Sequence, residues 1–379
     1  MSMASGAGAG LSVEIRVGQG GPVGIEALLS ELGFEVRPND GHNSPGITET
    51  DGFRVEFDRP SASDQSEAIT VDLASGRSPL DVSRFEAPNA IAAATFILSR
   101  ALHLPTPLLS SDPAMFDVIR AAIRGASTDS PMILMGETGT GKELMVRLAH
   151  TASGRPGSLL SLNCAALNDR VPERYPASQD DGIPTEATRL EELFSAADST
   201  LLLDQVAELS PDAQAWMLAA IAAAGCEACD GGAGPDDRGG LRRGARLVAA
   251  TNRPLPAMIH AGRFRRELYD RLAVLTIALP PLRERRGDIA MLARYFLHSA
   301  APELDFAPAA LKSLAGYPFP GNVRELMNLV TRLVIMPRPS ADGLLHAADI
   351  RSQMTDAVLK SSAWKSIHLR FNPGWGSKP

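Results

Sequence analysis

The 379-residue sequence has few cysteines and no long apolar runs. Three cysteines are too few for a disulfide framework, which fits a reducing compartment. No apolar run approaches the roughly 18–20 residues that span a bilayer, and the N-terminus lacks the basic start and apolar block of a secretory signal. These absences exclude a disulfide-stapled or membrane-spanning protein, and we expect a cytoplasmic one. Cys226 and Cys229 form a C-x-x-C pair without a second ligand pair nearby, so a zinc or redox site is the less favoured interpretation.

Lysine is absent from the first 104 residues, which hold 7 Arg and 14 acidic residues. The whole chain has a net charge of −7, so all of the acidic excess lies in this first part. Its field would repel nucleic-acid phosphates, which argues against nonspecific nucleic-acid binding by this segment.

A glycine-rich segment, GETGTGKE, occupies residues 136–143 between an apolar run at 132–135 and a helical pattern that begins at Lys142. The spacing is G-x-x-x-x-G-K, in the strand-before, helix-after context that a phosphate-binding loop needs. Glycines allow a tight turn whose backbone N–H groups point at phosphate oxygens, and the lysine adds a positive charge. The segment therefore predicts a nucleoside triphosphate site. A plain glycine-rich loop is the alternative, which the lysine and the flanking elements disfavour.

An apolar run that ends in a carboxylate, TLLLD at 200–204, follows about 60 residues after this loop. It predicts a buried central strand that delivers Asp204 to the magnesium ion of the nucleotide. The next residue is Gln205, where hydrolysing enzymes of this kind usually carry a glutamate that polarises the attacking water. An amide can hold that water but cannot accept its proton, so we expect a loss on the order of 10²-fold or more in hydrolysis.

The strand and helix patterns predict an α/β fold with a parallel sheet in the nucleotide-binding part. In the N-terminal segment, residues 1–104, no cluster of acidic residues at strand ends resembles the phosphoacceptor pocket of a response-regulator receiver domain. The patterns and linker composition predict five segments. These are a small N-terminal α/β regulatory domain at 1–104, a linker at 105–111, an α/β nucleotide-binding domain at 112–286, a helical lid at 287–350 and an irregular tail at 351–379.

From about residue 108 to 336 the sequence resembles the AAA+ ATPase module of bacterial enhancer-binding proteins, the activators of sigma-54 RNA polymerase. The matching segments are GETGTGKE (136–143), LNCAAL (162–167), LLLDQVAEL (201–209), LVAATNRPL (247–255), GRFRRELYDRLAVLTIALPPLRERRGDIAMLARYFL (262–297) and GYPFPGNVRELMNLV (316–330). Glu143, which replaces the Ser or Thr of the general phosphate-loop pattern, is itself usual in this family. The resemblance implies an AAA+ P-loop fold with a small α-helical lid.

The resemblance also implies residue roles. Asn163 would be the glutamate-switch asparagine, Asn252 the first sensor of the γ-phosphate, and Arg324 the second sensor. Arg265 and Arg271 would be fingers that one subunit inserts into its neighbour's site, which implies a ring oligomer, most often a hexamer in this family. A planar, permanently charged guanidinium suits that role, since it can stabilise charge developing on the transferred phosphoryl group. A solvated or nucleic-acid-facing surface is the alternative for the arginine-rich span 263–286.

The predicted site therefore has two sets of residues. The nucleotide-binding set is Gly136, Glu137, Thr138, Gly139, Thr140, Gly141, Lys142, Glu143, Asp204, Asn252 and Arg324, with ATP and Mg²⁺ as cofactors and Asp204 as the metal ligand. The catalytic set is Asn163, Gln205, Arg265 and Arg271.

Two departures from the family bear on partners. The GAFTGA loop with which family members contact sigma-54 is absent from the interval 168–199, which carries Pro172, Pro176 and Pro184 instead. Residues 337–379 show no helix-turn-helix pattern. We therefore expect neither a recognisable sigma-54 contact nor direct DNA binding.

Two functions remain open. The first is an ATP-binding regulator of transcription with weakened hydrolysis, which acts through self-association or a mixed ring with a homologous AAA+ activator. The second is an active AAA+ ATPase that remodels a target other than sigma-54, with Glu208 or another carboxylate supplying the missing base. Gln205 leaves open whether the chain is an enzyme. A non-binding remnant is disfavoured, because the loop, both sensors and both arginines are present.

Overall fold

The computed structural model describes residues 15–17, 25–32, 36–38, 55–58, 69–73, 84–102, 104–128, 130–168, 192–223, 244–336 and 342–355. They fall into two compact units. One unit holds residues 117–279, and the other holds residues 15–116 together with 280–355. Each unit is described by itself below.

The strands, in chain order, are β1 (Ile15–Val17), β2 (Val36–Pro38), β3 (Val55–Asp58), β4 (Ile69–Leu73), β5 (Arg84–Ala87), β6 (Met132–Met135), β7 (Leu159–Asn163), β8 (Thr200–Asp204), β9 (Arg246–Thr251), β10 (Leu275–Ala278), β11 (Asp305–Phe306) and β12 (Leu344–Leu345). The helices are α1 (Ile25–Glu31), α2 (Ala90–Ala101), α3 (Pro113–Ala126), α4 (Lys142–Ala152), α5 (Pro211–Ala223), α6 (Leu255–His260), α7 (Arg266–Leu272), α8 (Arg286–Ala300), α9 (Pro308–Ala315), α10 (Asn322–Ile335) and α11 (Ala347–Thr355). Short 3₁₀ turns lie at Cys164–Leu167, Val206–Glu208 and Leu282–Glu284.

The unit of residues 117–279 is built on a five-stranded sheet in the order β10-β6-β9-β8-β7. Every neighbouring pair of strands is parallel. Strands β6, β8 and β9 are almost wholly buried, as expected for a parallel sheet covered on both faces. The predicted fold class is confirmed, and strands β6 and β8 have the bounds of the apolar runs at 132–135 and 200–204. Strand β10 was not predicted.

Helix α5 covers part of this sheet through a nearly continuous apolar surface. Trp216, Met217 and Ile221 are each at most 2% exposed. The Trp216 ring packs edge-on against Phe194, with ring centroids 6.0 Å apart. These side chains and buried residues of β8 and β9 belong to one hydrophobic core.

Buried cationic side chains lie near the amino ends of the strands. Arg246, 2% exposed, donates to the carbonyls of Gly125 (2.6 Å) and Ala126 (3.3 Å), so it satisfies acceptors at the carboxyl end of α3. His150 Nδ1 is hydrogen-bonded to Thr200 Oγ1 at 2.9 Å. Burial lowers the pKa of His150, and the charges of Arg155 and Arg246 lower it further.

This lowered pKa predicts a pH-dependent stability. As pH falls below the usual value of about 6.5, the unfolded chain takes up a proton on His150 that the folded chain does not, so the free energy of unfolding decreases down to the folded-state pKa. We expect the unfolding temperature to fall between pH 7.5 and pH 5.5, and to fall less in His150→Gln. Scanning calorimetry at both pH values tests this, with the exposed His260→Gln as the matched control. An equal decline in His150→Gln and wild type would contradict it.

The described N-terminal elements belong to the second unit. Strands β3, β4 and β5 form an antiparallel sheet, and β1 pairs with β2 in parallel. Helices α1 and α2 accompany them, as expected for the predicted small α/β domain. Strand β5 was not predicted from the sequence.

Helix α2 holds the following extended segment through side-chain hydroxyls. Ser99 Oγ accepts from the Leu108 N–H at 2.7 Å and lies 3.1 Å from the Leu108 carbonyl. One helical turn earlier, Thr95 Oγ1 lies 3.3 Å from the Ser110 nitrogen and 3.2 Å from its carbonyl oxygen. We call these contacts the hydroxyl ladder. The backbone N–H and carbonyl groups of Leu108 and Ser110 are therefore held against the helix.

The lid elements of the second unit are α8, α9, α10 and α11, with β11 and β12 as a two-residue parallel pair. This pair interrupts the purely helical pattern predicted for 287–336. Helix α11 ends at Thr355, so regular structure extends past residue 350, where the irregular tail was predicted to begin.

A fully buried carboxylate, Asp288 in the first turn of α8, ties this lid to residues 110–111. Its Oδ1 accepts from the N–H (2.6 Å) and the hydroxyl (2.8 Å) of Ser111. Its Oδ2 accepts from the Ser110 hydroxyl at 2.6 Å and lies 3.6 Å from Nη1 of the buried Arg285. The charge is thus paired and hydrogen-bonded, as burial requires.

Removing this charge is expected to loosen the lid. In Asp288→Asn the buried Arg285 guanidinium loses the carboxylate charge 3.6 Å from its Nη1, and breaking a buried ion pair typically costs about 3–5 kcal/mol. We expect native-state hydrogen exchange to show a decrease of about this size in the opening free energy of the α8 amides. Asp305→Asn is the control, because its half-exposed pair with Arg294 is worth at most about 1 kcal/mol. Equal effects of the two substitutions would contradict the prediction.

Candidate nucleotide-binding site

The register of the parallel sheet brings the predicted site residues to one edge. Met135 pairs with Thr251, and Asp204 pairs with both Asn163 and Ala250. The phosphate loop, which follows β6, and Asn252, which follows β9, therefore emerge beside Asp204 at the carboxyl ends of the strands. Ligands bind at this edge in open parallel sheets.

The glycines of the phosphate loop are required for two different reasons. A Cβ on Gly136 would lie 3.0 Å from Thr140 Oγ1 and 3.1 Å from the Leu279 carbonyl, so the tight space there favours glycine. Gly139 and Gly141 have φ angles of 80° and 108°, which side chains rarely adopt. A Cβ on Gly141 would meet nothing within 4 Å, so its backbone conformation is what requires glycine.

Polar groups of this loop surround the start of α4. Lys142 Nζ donates to the carbonyls of Gly136 (2.7 Å) and Glu137 (2.9 Å), and Thr140 Oγ1 donates to Glu137 at 2.8 Å. A lysine and a helix amino terminus at the end of a glycine turn form an arrangement that suits phosphate. The Glu143 side chain is exposed and paired with Arg147 at 3.0 Å, so what Glu143 offers a phosphate is its backbone N–H.

The acid that ends β8 has an amide on each side. Asp204 is partly buried, and its strand neighbour Asn163 uses Oδ1 to accept from Ala165 at 3.0 Å, capping a 3₁₀ turn. Gln205, exposed, has φ 57° and ψ 42°, a left-handed conformation that costs a non-glycine residue roughly 1 kcal/mol. Such strain is often retained at functional sites.

The carboxylate considered as a replacement base is engaged elsewhere. Glu208 Oε1 lies 2.8 Å from Arg253 Nε, in an ion pair between partly exposed side chains. Arg253 holds the carboxylate in this ion pair, which disfavours Glu208 as a substitute for Gln205. The neighbouring Asn252 donates from Nδ2 to Thr138 Oγ1 at 3.3 Å, which connects the predicted first sensor with the phosphate loop.

The predicted arginines lie on two elements. Arg265 is exposed and precedes α7, and Arg271 is partly buried in the last turn of the same helix. Arg324 is exposed on α10, in the other unit. It follows a tight turn in which Phe319 and Asn322 have φ angles of 44° and 54°. Asn322 is fully buried and accepts from the Leu282 N–H at 2.8 Å, which fixes the start of α10.

Three features at or near this edge were not predicted from the sequence, because no sequence pattern identifies them. They are the ion pair between Glu208 and Arg253, the burial of the Cys164 thiol and the burial of the Gln214 amide. Among the described residues, no group of three or more His, Cys, Asp or Glu side chains is placed to hold a metal ion. Within the same ranges, no helix is both long and apolar enough to cross a membrane.

Family models match most of the chain beyond its N-terminal domain. Residues 108–278 match the Sigma-54 interaction domain, and residues 283–365 match the AAA+ ATPase lid domain. Residues 108–278 therefore belong to the sigma-54 interaction domain family. The predicted family resemblance is confirmed.

Curated relatives include transcriptional regulators from several bacteria. Regulatory protein AtoC of Escherichia coli K12 is 34% identical over 267 residues, covering 68% of this chain and 56% of AtoC. Transcriptional regulatory protein ZraR of Klebsiella oxytoca is 38% identical over 271 residues, covering 68% of this chain and 60% of ZraR. The chain thus spans little more than half the length of these relatives.

Solved structures show the same fold. A crystal structure of NtrX from Brucella abortus is 28% identical, with a TM-score of 0.52 over 69% of this chain and 60% of NtrX. A structure of NtrX in complex with ATP is 26% identical, with a TM-score of 0.50 over 74% of this chain and 67% of NtrX.

Several predictions fall outside the described residues. They concern most of the interval in which GAFTGA was sought (169–191), the Cys226–Cys229 pair, and residues 356–379. The roles assigned to the individual site residues stay predictions.

The thiol beneath the site is expected to be inert. Burial, followed by the nearby Asp204 carboxylate, raises the pKa of Cys164 to about 12. Because the thiolate is the reactive form, we expect iodoacetamide to modify Cys164 at least about 10³-fold more slowly in the native protein than in urea-unfolded protein at pH 8. Peptide mass spectrometry of the labelled chain measures both rates. Comparable rates would contradict the prediction.

Proposed function

We propose that this chain is an ATP-binding AAA+ regulator of transcription with weakened hydrolysis, which acts through ring assembly with itself or a homologous AAA+ activator. One observation carries the proposal. The sheet register gathers the phosphate loop, Asp204, Asn163 and Asn252 at one edge, while Gln205 stands next to Asp204.

The residues at this edge fit a magnesium nucleotide. The loop and Lys142 would hold the phosphates, and Asn252 lies beside the loop through its bond to Thr138. Asp204 would hold Mg²⁺, whose remaining ligands would be phosphate oxygens and water, as is common for this ion. Bound magnesium supplies neutralisation of charge on the phosphate oxygens. That NtrX forms a complex with ATP supports ATP as the nucleotide.

Gln205 is the reason for proposing weak hydrolysis. Its amide can donate to and accept from a water molecule, which orients the water, but it has no basic site for the water proton. Glu208, which could otherwise serve, is paired with Arg253 at 2.8 Å. The chain would therefore retain its nucleotide longer than a member that carries glutamate at this position.

The exposed arginine segment supports assembly. We propose that Arg265 and Arg271 act in the site of a neighbouring subunit, and that Arg324 is the second sensor. In a mixed ring, the two arginines could complete the site of an intact activator even while hydrolysis in this chain stays slow. The absence of GAFTGA from the sequence supports a role without direct sigma-54 contact, and the lack of a helix-turn-helix pattern supports one without direct DNA binding.

A single substitution tests whether Gln205 slows ATP hydrolysis. We expect Gln205→Glu to increase steady-state ATP turnover by about 10²-fold, because it restores a general base. Lys142→Ala in that background should abolish turnover and weaken binding of a fluorescent ATP analogue. Gln205→Ala is the matched control, since it removes the amide without supplying a base.

Three results would contradict the proposal. They are fast turnover in the wild type that Lys142→Ala abolishes, no gain from Gln205→Glu, and failure of the wild type to bind ATP with magnesium. A strictly monomeric protein with ATP would exclude the ring.

A further inference from the structure

A buried amide on α5 is bonded to two loops of the nucleotide-binding unit. Gln214 is 1% exposed, and its side chain makes three hydrogen bonds, all to backbone groups. Nε2 donates to the carbonyls of Leu209 (2.9 Å) and Arg263 (3.1 Å), and Oε1 accepts from the Arg265 N–H at 2.7 Å. The amide therefore spans the space between two chain segments that are about 50 residues apart in sequence.

The first segment is the turn that follows Asp204. Glu208 N–H donates to the Gln205 carbonyl at 2.9 Å, and Leu209 N–H donates to the Val206 carbonyl at 3.4 Å. Gln214 binds the carbonyl of Leu209, where this turn ends. A shift of the backbone at Gln205 would therefore be felt at Gln214.

The second segment is the turn that presents Arg265. Its N–H groups at Arg263 and Phe264 donate to the Met258 carbonyl, at 2.8 and 3.3 Å, and the Phe264 side chain is buried. The Arg265 carbonyl accepts from Tyr269 N–H at 3.2 Å, which begins α7. Gln214 supplies the partners for the Arg263 carbonyl and the Arg265 N–H, so it fixes the backbone on which the exposed Arg265 side chain stands.

The energetics favour a rigid connection. A buried amide whose donors and acceptor are all hydrogen-bonded is fixed in orientation. Its removal leaves each former partner buried without that hydrogen bond, which destabilises the fold. An apolar side chain of similar size, such as methionine, could fill the volume of Gln214 but could not bind any of the three backbone groups. Volume and hydrogen bonding can thus be separated by mutation.

We propose that Gln214 is a positioning residue that fixes Arg265 and couples it to the turn after Asp204. This inference rests on the proposed function, in which Arg265 acts in the nucleotide site of a neighbouring subunit. Gln214 then connects the nucleotide site of one subunit with the arginine offered to the next. A displacement of the Gln205 turn in one site changes the geometry of the adjacent site.

The test is a double-mutant cycle in the 379-residue chain that carries Gln205→Glu, which supplies measurable turnover. We expect Gln214→Met to lower turnover by about 10²-fold, because a misplaced group about 1 Å from its productive position can lose that much. Arg265→Ala should lower turnover at least as far. In the double variant, the loss should stay within about twofold of Arg265→Ala alone, since Gln214 acts through Arg265.

Nucleotide affinity separates positioning from general damage. Binding of a fluorescent ATP analogue, measured at concentrations where the chain is monomeric, should be unchanged within about twofold in Gln214→Met. Asn168→Ala is the matched control, because Asn168 binds the Glu208 carbonyl (2.9 Å) and the Ser210 N–H (2.7 Å) of the same turn without contacting the Arg265 segment. Its effect should multiply with that of Arg265→Ala. Gln214→Glu, which keeps the acceptor for Arg265 N–H, replaces Gln214→Met if methionine prevents folding.

Each result bears on one of the two proposals. If Arg265→Ala leaves turnover unchanged, the proposed role of Arg265 fails, whatever Gln214 does. If Arg265→Ala is inactive while the Gln214 variant keeps turnover, or if their effects multiply, the inference about Gln214 is overturned. A loss of monomer nucleotide affinity in the Gln214 variant would also overturn it.

Discussion

The parallel hydrogen-bond register of β6, β9, β8 and β7 is the constraint on which the candidate site depends. Because Met135 pairs with Thr251, and Asp204 with Asn163, the strands end at the same level. Met135 and Thr251 lie 116 positions apart in the sequence, and Asn163 and Asp204 lie 41 apart, yet the members of each pair are separated by one strand spacing, about 4.8 Å. A slip of one residue in any pair would move the acid away from the phosphate loop and turn apolar side chains out of the core.

Side-chain amides fix the loops that follow the strands, where hydrogen bonds between strands no longer hold the backbone. Gln214 holds two turns beside the sheet, and Asn163 caps the turn that follows β7. In the other unit, Asn322 fixes the start of α10 through Leu282. An amide carries a donor and an acceptor in one plane, so it can replace a missing peptide neighbour. Arg265 and Arg324 are exposed, whereas Gln214 and Asn322, which fix the turns before them, are buried.

Sequence patterns predicted most strands of the parallel sheet, but they did not predict the buried side chains that hold the loops in place. Buried parallel strands give continuous apolar runs, so the strand that ends at Asp204 was predicted with correct bounds. Strand β10 was not predicted, because it has only four residues, of which Ile277 alone is buried. The phosphate loop and Asp204 follow a local rule of spacing. Gln214 does not, because two of its three partners lie about 50 residues away and only the fold brings them to it.

The hydroxyl ladder has a consequence for how such chains can be recombined. Residues 105–111 have the proline and serine content of a linker, but Ser99 and Thr95 bind two of its peptide units in a defined register. Four residues of helix rise by about 6 Å, and two residues of extended chain span about 6.6 Å, so the two spacings match. A chimaera in which the N-terminal domain is exchanged by a cut between α2 and Asp112 would separate α2 from the segment that it binds. The junction should instead lie upstream of α2, because residues 108–111 connect this helix to Asp288 of the lid.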